Sequence, residues 1–400
     1  MKYDLVFEGG GAKGLVFVGA LQAFLEGGHT IGRLMGSSAG AITATLLAAG
    51  YTPDEVLEVI NEKLPDGRPQ FAAFLDIPQQ FSSEDVRDSL SYRLLEQVNI
   101  RWLPRALEKI MTGIIIEALM RYPAYRHVFS FVEHGGWFAG DAFREWLTAR
   151  LDAAGRNLGG ATLSELHTTT GSDLTLMASD TTAHQMLVLN HRTAPHCPVV
   201  WAVRMSMGYP FAWQEVRWNA DWGTYQGQVI AGHTVVDGGM LTNFPIGLFM
   251  STDSEVTAVM GANSGSNDVL GFLIDETLPV PGSEELRGVP APVAGKRGGL
   301  SRVDVKELEV VARLKRMVDT VTQAHDKFVI EAFRDKVCRL PANGYGTMDF
   351  DMSDERRDAL IAAGYGATAA YFKQKAEEDG GGRESESNLA GENERVSHSD

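Results

Sequence analysis

The chain opens on a short apolar run, residues 3–7, that predicts a β-strand and passes at once into Gly9-Gly10-Gly11-Ala12-Lys13-Gly14. Leu15, Val18, Leu21, Phe24 and Leu25 then recur at helical spacing until Gly27-Gly28 supplies a stop. A second predicted strand, Ile31–Met35, runs into Gly36-Ser37-Ser38-Ala39-Gly40, and a helix of small residues follows from Ala41 to Ala49, closed by Gly50. Strand, helix, strand, helix in that order predicts an α/β layered fold with a parallel sheet.

Residues 65–137 break the pattern. Pro65, Pro69, Pro78, Pro104 and Pro123 punctuate apolar clusters such as Phe71–Leu75, which predicts a mostly helical insertion over the sheet edge, a candidate lid. Strand signals return at Leu174–Ala178, Met186–Asn190, Val229–Val236 and Glu255–Gly261. Residues 262–300, rich in Gly, Pro and Ser, predict a long loop. Asp304–Val337 reads as helical with alternating charges, and a further helix starts at Ser353-Asp354-Glu355 behind a serine N-cap. These segments predict one folded domain over residues 1–375. The acidic, apolar-poor residues 376–400 predict a disordered tail.

Composition narrows the function. Among 400 residues, 52 Asp and Glu against 36 Lys and Arg leave a net charge of −16, which argues against binding nucleic acid through phosphate neutralisation. Two cysteines, Cys197 and Cys338, are too few for a disulfide framework or a zinc site. Asp4 and Glu8 interrupt any cationic and then apolar leader, and the apolar stretch around Ile114-Ile115-Ile116 carries too many charges to span a bilayer. The expectation is a cytoplasmic protein, with export that leaves no cleavable signal as the other route.

The glycine clusters are where the chemistry lies. Gly36–Gly40 has the pattern G-x-S-x-G, in which a serine on a tight strand-to-helix turn stands clear of the backbone. Gly9–Gly14 mimics a dinucleotide fingerprint, but that reading needs an acidic residue at the end of the second strand, and here the strand ends Arg33-Leu34-Met35. Read instead as an oxyanion loop, the same glycines turn backbone N–H groups toward developing negative charge. A serine nucleophile needs a base. His325 and His398 fall in a charged helix and in the tail, and His184, His191, His196 and His233 precede the best acidic residue, Asp237 in Val235-Val236-Asp237-Gly238-Gly239. Asp237 reads equally as a carboxylate at a strand's functional end and as a common Asp-Gly turn. The residues alone do not choose.

Taken together, Gly9–Gly14, Gly36–Gly40, Asp237-Gly238-Gly239, Asn243-Phe244-Pro245 and the stretch Ala202–Phe211 resemble the patatin-like phospholipase family. In that last stretch Met205 stands where the family has a small residue, and the Pro–Phe spacing is shortened. The resemblance implies a three-layer α/β/α sandwich with a mainly parallel sheet. It implies a lipid acyl hydrolase of phospholipase A type with Ser38 as nucleophile, Asp237 as its partner in a Ser–Asp dyad, and Gly10, Gly11 and Ala12 as the oxyanion hole. Gly9, Lys13, Gly14, Gly36, Ala39, Gly40, Gly238 and Gly239 are the supporting motif positions. An esterase or acyltransferase of the same fold and a non-catalytic lipid-binding protein are the alternatives. No metal or organic cofactor is implied, and the expected partner is a phospholipid or other acyl lipid, with peripheral membrane contact. Lys13 sits near a substrate phosphate on one reading and is an exposed helix-start lysine on the other. The apolar clusters at 71–77 and 110–120 either rim an acyl-chain groove or pack the insertion.

Overall fold

The computed structural model describes residues 1–79, 81–96, 105–262, 265–283, 331–396 and, individually, 313, 317 and 320. Its core is a mixed sheet in the order β10-β9-β1-β2-β4-β8-β7, with β5 on the far side of β4. These strands are β1 (Lys2–Phe7), β2 (Thr30–Gly36), β4 (Leu174–Asp180), β5 (Gln185–Leu189), β7 (Val216–Arg217), β8 (Thr234–Asp237), β9 (Asp268–Pro279) and β10 (Val337–Asn343). The run β10-β9-β1-β2-β4 is parallel, while β5, β7 and β8 are antiparallel additions. Two short strands, β3 (Gly136–Phe138) and β6 (Phe211–Trp213), pair separately.

Both faces of the sheet are covered, which is what parallel strands require. Side chains alternate across it: Leu5 and Phe7 enter one apolar core, and Val6 and Met35 enter the other. The larger core lies under α1 (Val16–Glu26), α2 (Ala39–Ala48), α3 (Pro53–Asn61), α8 (Asp141–Asp152), α9 (Leu163–Thr170), α10 (Val199–Ser206) and the first turns of α13 (Asp354–Val396). The smaller core is closed by α11 (Gly247–Met250) and α12 (Ser254–Met260). The result is the expected α/β/α sandwich. Across residues 83–134 four helices succeed one another: α4 (Ser83–Asp88), α5 (Leu90–Glu96), α6 (Arg105–Leu119) and α7 (Pro123–His134).

Several sequence expectations are corrected. Glu255–Gly261 is not a strand: the Asp253 side chain accepts the Glu255 N–H at 2.7 Å, capping α12, and Met260 turns inward to the smaller core. The 262–300 loop contains β9, whose run Val269–Ile274 is buried on both faces and pairs with β1 on one side and β10 on the other. The expected strand Val229–Val236 begins only at Thr234, after Gly232 turns the backbone to φ +84°. The helical pattern expected over Asp304–Val337 gives way to a strand by Val337, and most of that segment, His325 included, lies outside the described residues. The helix α13 continues to Val396, into the tail expected to lack structure. His398 also lies outside the described residues.

Candidate active site

The register of β4 brings the two halves of the site together. Gly36, at the end of β2, is the partner of Leu176, and Asp237, at the end of β8, is the partner of Ala178. Because β5 holds the opposite edge of β4 at both levels, β2 and β8 share one edge and run toward each other. Their ends are therefore two β4 residues apart, about 7 Å at the rise of a strand. Ser38 caps the first gap and Asp237 closes the second.

Each turn is shaped by steric exclusion. Ser38 sits at φ +50°, ψ −119°, a strained conformation for a residue with a side chain. A Cβ on Gly36 would fall onto the Gly40 carbonyl, and one on Gly40 onto the Phe7 carbonyl, so both flanking positions admit only glycine. A Cβ on Gly14 would lie 2.7 Å from that of Ala39, which lets the glycine loop pack directly on the start of α2. The Ser38 N–H donates to Ser206 Oγ at 3.1 Å. Ser38→Gly relieves this strain: its unfolding free energy in urea should exceed that of Ser38→Ala by about 1 kcal/mol. Equal stability would mean the turn is relaxed.

Asp237 is buried, 3% exposed. Its Oδ1 accepts the Gly239 N–H at 2.7 Å, and its own N–H donates to the Gly208 carbonyl at 3.1 Å. The carboxyl that makes the Asp-Gly turn also ends the strand beside Ser38. Burial pushes its pKa up to about 7, against the opposing pull of the Gly239 N–H and the Ser38 hydroxyl. The hydroxyl lies near enough to favour the charged form, yet Oδ2 completes no hydrogen bond among the described residues. The pair is juxtaposed but slack, as serine–base contacts in unliganded enzymes often are.

The glycine loop follows β1, whose Phe7 pairs with Gly36, so it lies directly beside the serine turn. Gly11 adopts φ +56°, where a Cβ would strike the Thr347 carbonyl. That carbonyl accepts the Ala12 N–H at 2.9 Å, which removes Ala12 from the free donors of the expected oxyanion hole. Among the described residues the Gly10 and Gly11 N–H groups meet no acceptor. Gly9 is held by Asn243, whose Nδ2 donates to the Gly9 carbonyl at 2.8 Å and whose carbonyl takes the Gly9 N–H at 3.2 Å. Gly238 backs onto the Met177 carbonyl, with no room for a side chain.

Lys13 is a second correction. It is neither exposed nor free: its side chain is 6% exposed and paired with Glu276 on β9. Sequence reasoning passed over Ser206, Thr347 and Glu8, whose carboxylate accepts the Ile274 N–H at 2.6 Å and the Asn243 amide at 3.2 Å. The place of Ser206 inside the Ala202–Phe211 stretch that resembles the family block was the available signal for it. Thr347 carried none.

Ser38 opens on an apolar cavity of about 1050 Å³, its open mouth included. Gly11, Ala12, Gly14 and Ala39 line it near the serine. Pro69, Phe71 and Phe74 supply part of the wall, so the 71–77 cluster does face the groove. Among the described residues of the 110–120 cluster none lines it: Ile116 is buried, and Ile114 is 60% exposed. Among the described residues no histidine lines this cavity. His233 bonds Asp180 through Nδ1 at 2.8 Å, and His191 stacks on His167 at 3.7 Å. Among the described residues no three His, Cys, Asp or Glu side chains are grouped to hold a metal ion, and no helix is long and apolar enough to cross a membrane.

A mainly parallel α/β/α sandwich with a strained serine at the carboxyl end of an inner strand defines an elbow-type α/β protein. Within that class, the family model described as patatin-like phospholipase matches residues 5–250, and the chain belongs to that family. Family membership supports lipid hydrolase activity. A protein of Bacillus subtilis (strain 168), the uncharacterized protein YqhO, is 27% identical over 385 residues, covering 94% of this chain and 99% of its own. Among solved structures, VipD from Legionella pneumophila is 16% identical with a TM-score of 0.47, covering 93% of this chain and 67% of VipD. The type III effector ExoU of Pseudomonas aeruginosa is 19% identical with a TM-score of 0.37. There 93% of this chain matches 53% of ExoU, so the chain spans about half the effector's length.

Proposed function

We propose that the protein is a phospholipase A-type lipid acyl hydrolase working through Ser38 and Asp237 without a histidine. The observation that carries this reading is the juxtaposition of a strained serine, a buried carboxyl with its pKa near 7 and two unengaged amides at the head of an apolar cavity. Ionised Asp237 takes the Ser38 proton as the oxygen attacks the ester carbonyl. The oxyanion is received by the Gly10 and Gly11 N–H groups, beside the positive end of α2. Collapse expels the lysolipid alcohol, which takes up the proton from Asp237. Water then enters by the same route, and the acyl-serine is released as a fatty acid.

A fluorophosphonate probe tests the nucleophile. Wild-type protein should be labelled on Ser38, and Ser38→Ala should not be labelled at all. Mass spectrometry of mixed phospholipids should show fatty acid and lysolipid appearing together with wild type alone. Labelling that survives in Ser38→Ala would place the nucleophile elsewhere.

A further inference from the structure

The cavity has a direction, because α2 forms one of its walls. Ala39, Ile42, Thr43 and Leu46 all line it, the one-face stripe of a helix that begins at Ser38. Leu46 lies eight residues from Ser38, so at the helical rise the stripe runs about 12 Å from the serine. Facing it are Val56, Val59 and Ile60 of α3, all buried. An aromatic group lines the cavity toward the far end of α2. Trp146 packs edge-on against Phe71 at 5.6 Å and Phe74 at 5.1 Å, and all three line the cavity. Trp146 stands one turn before Arg150, whose carbonyl accepts the Tyr51 hydroxyl at 2.7 Å. Tyr51 directly follows α2 and bonds the Leu46 carbonyl through its own N–H, which sets Trp146 beside the end of α2 remote from Ser38.

We infer that this cavity measures the acyl chain, selecting a medium-length one that lies along α2 from Ser38 toward Leu46 and Trp146. The inference rests on the hydrolase reading above and specifies its substrate. An extended hydrocarbon, with carbon–carbon bonds of about 1.5 Å at near-tetrahedral angles, advances roughly 1.3 Å per carbon, so the stripe accommodates roughly nine carbons. The headgroup stays outside. Among the described residues Arg357 is the one cation lining the cavity, and Asp354 and Asp358 already engage it, at 2.8 and 2.9 Å.

The test is a series of p-nitrophenyl esters at monomeric concentrations, from butyrate through octanoate, decanoate and dodecanoate to hexadecanoate. Each methylene that finds a wall should raise kcat/KM about fourfold, up to octanoate or decanoate, with no gain or a fall beyond. Leu46→Trp fills the far end and should move the optimum toward butyrate. Trp146→Ala lengthens the cavity and should move it toward dodecanoate, with circular dichroism showing that each variant is folded. A wild-type profile that is level, or that climbs to hexadecanoate, overturns the inference, as does an optimum that neither folded variant moves. In those outcomes hydrolysis persists and the hydrolase reading stands. Wild-type protein that cleaves no ester and takes no fluorophosphonate overturns both.

Discussion

Asp237→Asn should lower kcat/KM by on the order of 10³–10⁴ while making the protein more stable at alkaline pH. The two effects have one cause. The carboxyl is buried with a pKa of about 7, so the folded state holds its proton more tightly than the unfolded chain, where the value is near 3.8. A raised folded pKa contributes stability that is complete below pH 4 and is lost as pH rises through about 7. Above pH 8 the ionised group costs the fold about 4 kcal/mol. Asparagine escapes that cost, since its Oδ1 still accepts the Gly239 N–H and it carries no charge to bury. The same titration governs activity, because only ionised Asp237 can take the serine proton. Wild-type kcat/KM should climb about tenfold per pH unit up to about 7 and level off above it. Urea unfolding at pH 5 and pH 8.5, with a pH–rate profile, checks both halves. A variant no more stable than wild type at pH 8.5, or an acid limb that sits near pH 4, would mean that Asp237 is ionised in the fold at no cost.

Ser38 stood out because a glycine-flanked turn has self-contained stereochemistry, whereas Asp237, in a strand ending in Asp-Gly-Gly, was singled out only by the family resemblance, since the same residues also make a common turn. What the sequence could not supply was the strand between them. The meeting of residues 38 and 237 depends on their partners on β4, Leu176 and Ala178, and pairing leaves no mark on either motif. The same limit explains the misread segments. In β9 the run Val269–Ile274 is apolar on both faces and lacks the alternation of a half-buried strand, and its Gly- and Ser-rich approaches read as loop. β10 holds Pro341, which discourages a strand reading, yet β10 is an edge, where a missing N–H is tolerated. Lys13 was misplaced for the same reason, since its partner Glu276 lies on the strand that was not seen. At α12 the apolar residues of Glu255–Gly261 suit a strand as well as a helix, and a single capping carboxylate, Asp253, decides.

Gly11→Ala should lower kcat by about 10²–10³ with little change in KM, whereas Gly10→Ala should cost less than tenfold. The adjacent glycines differ in what surrounds them. Gly10 is extended, with φ −167°, a conformation open to any residue, and its added methyl would meet only the tip of the Ile274 side chain, which can turn aside. Gly11 is left-handed, and its methyl would meet the backbone carbonyl and the Cγ2 of Thr347, the latter at 2.7 Å. That carbonyl cannot retreat without breaking its 2.9 Å bond from the Ala12 N–H, so the loop must shift instead. The shift carries the Gly10 and Gly11 amides off the position where the oxyanion forms, and each donor lost there is worth about 10²–10³ in turnover. In the proposed mechanism these amides serve charge that develops only in the transition state, so the loss belongs in kcat and not in ground-state affinity. Steady-state kinetics on a short-chain ester resolve the two constants. Equal losses at the two glycines, or a Gly11→Ala effect confined to KM, would show that this loop binds substrate without stabilising the oxyanion.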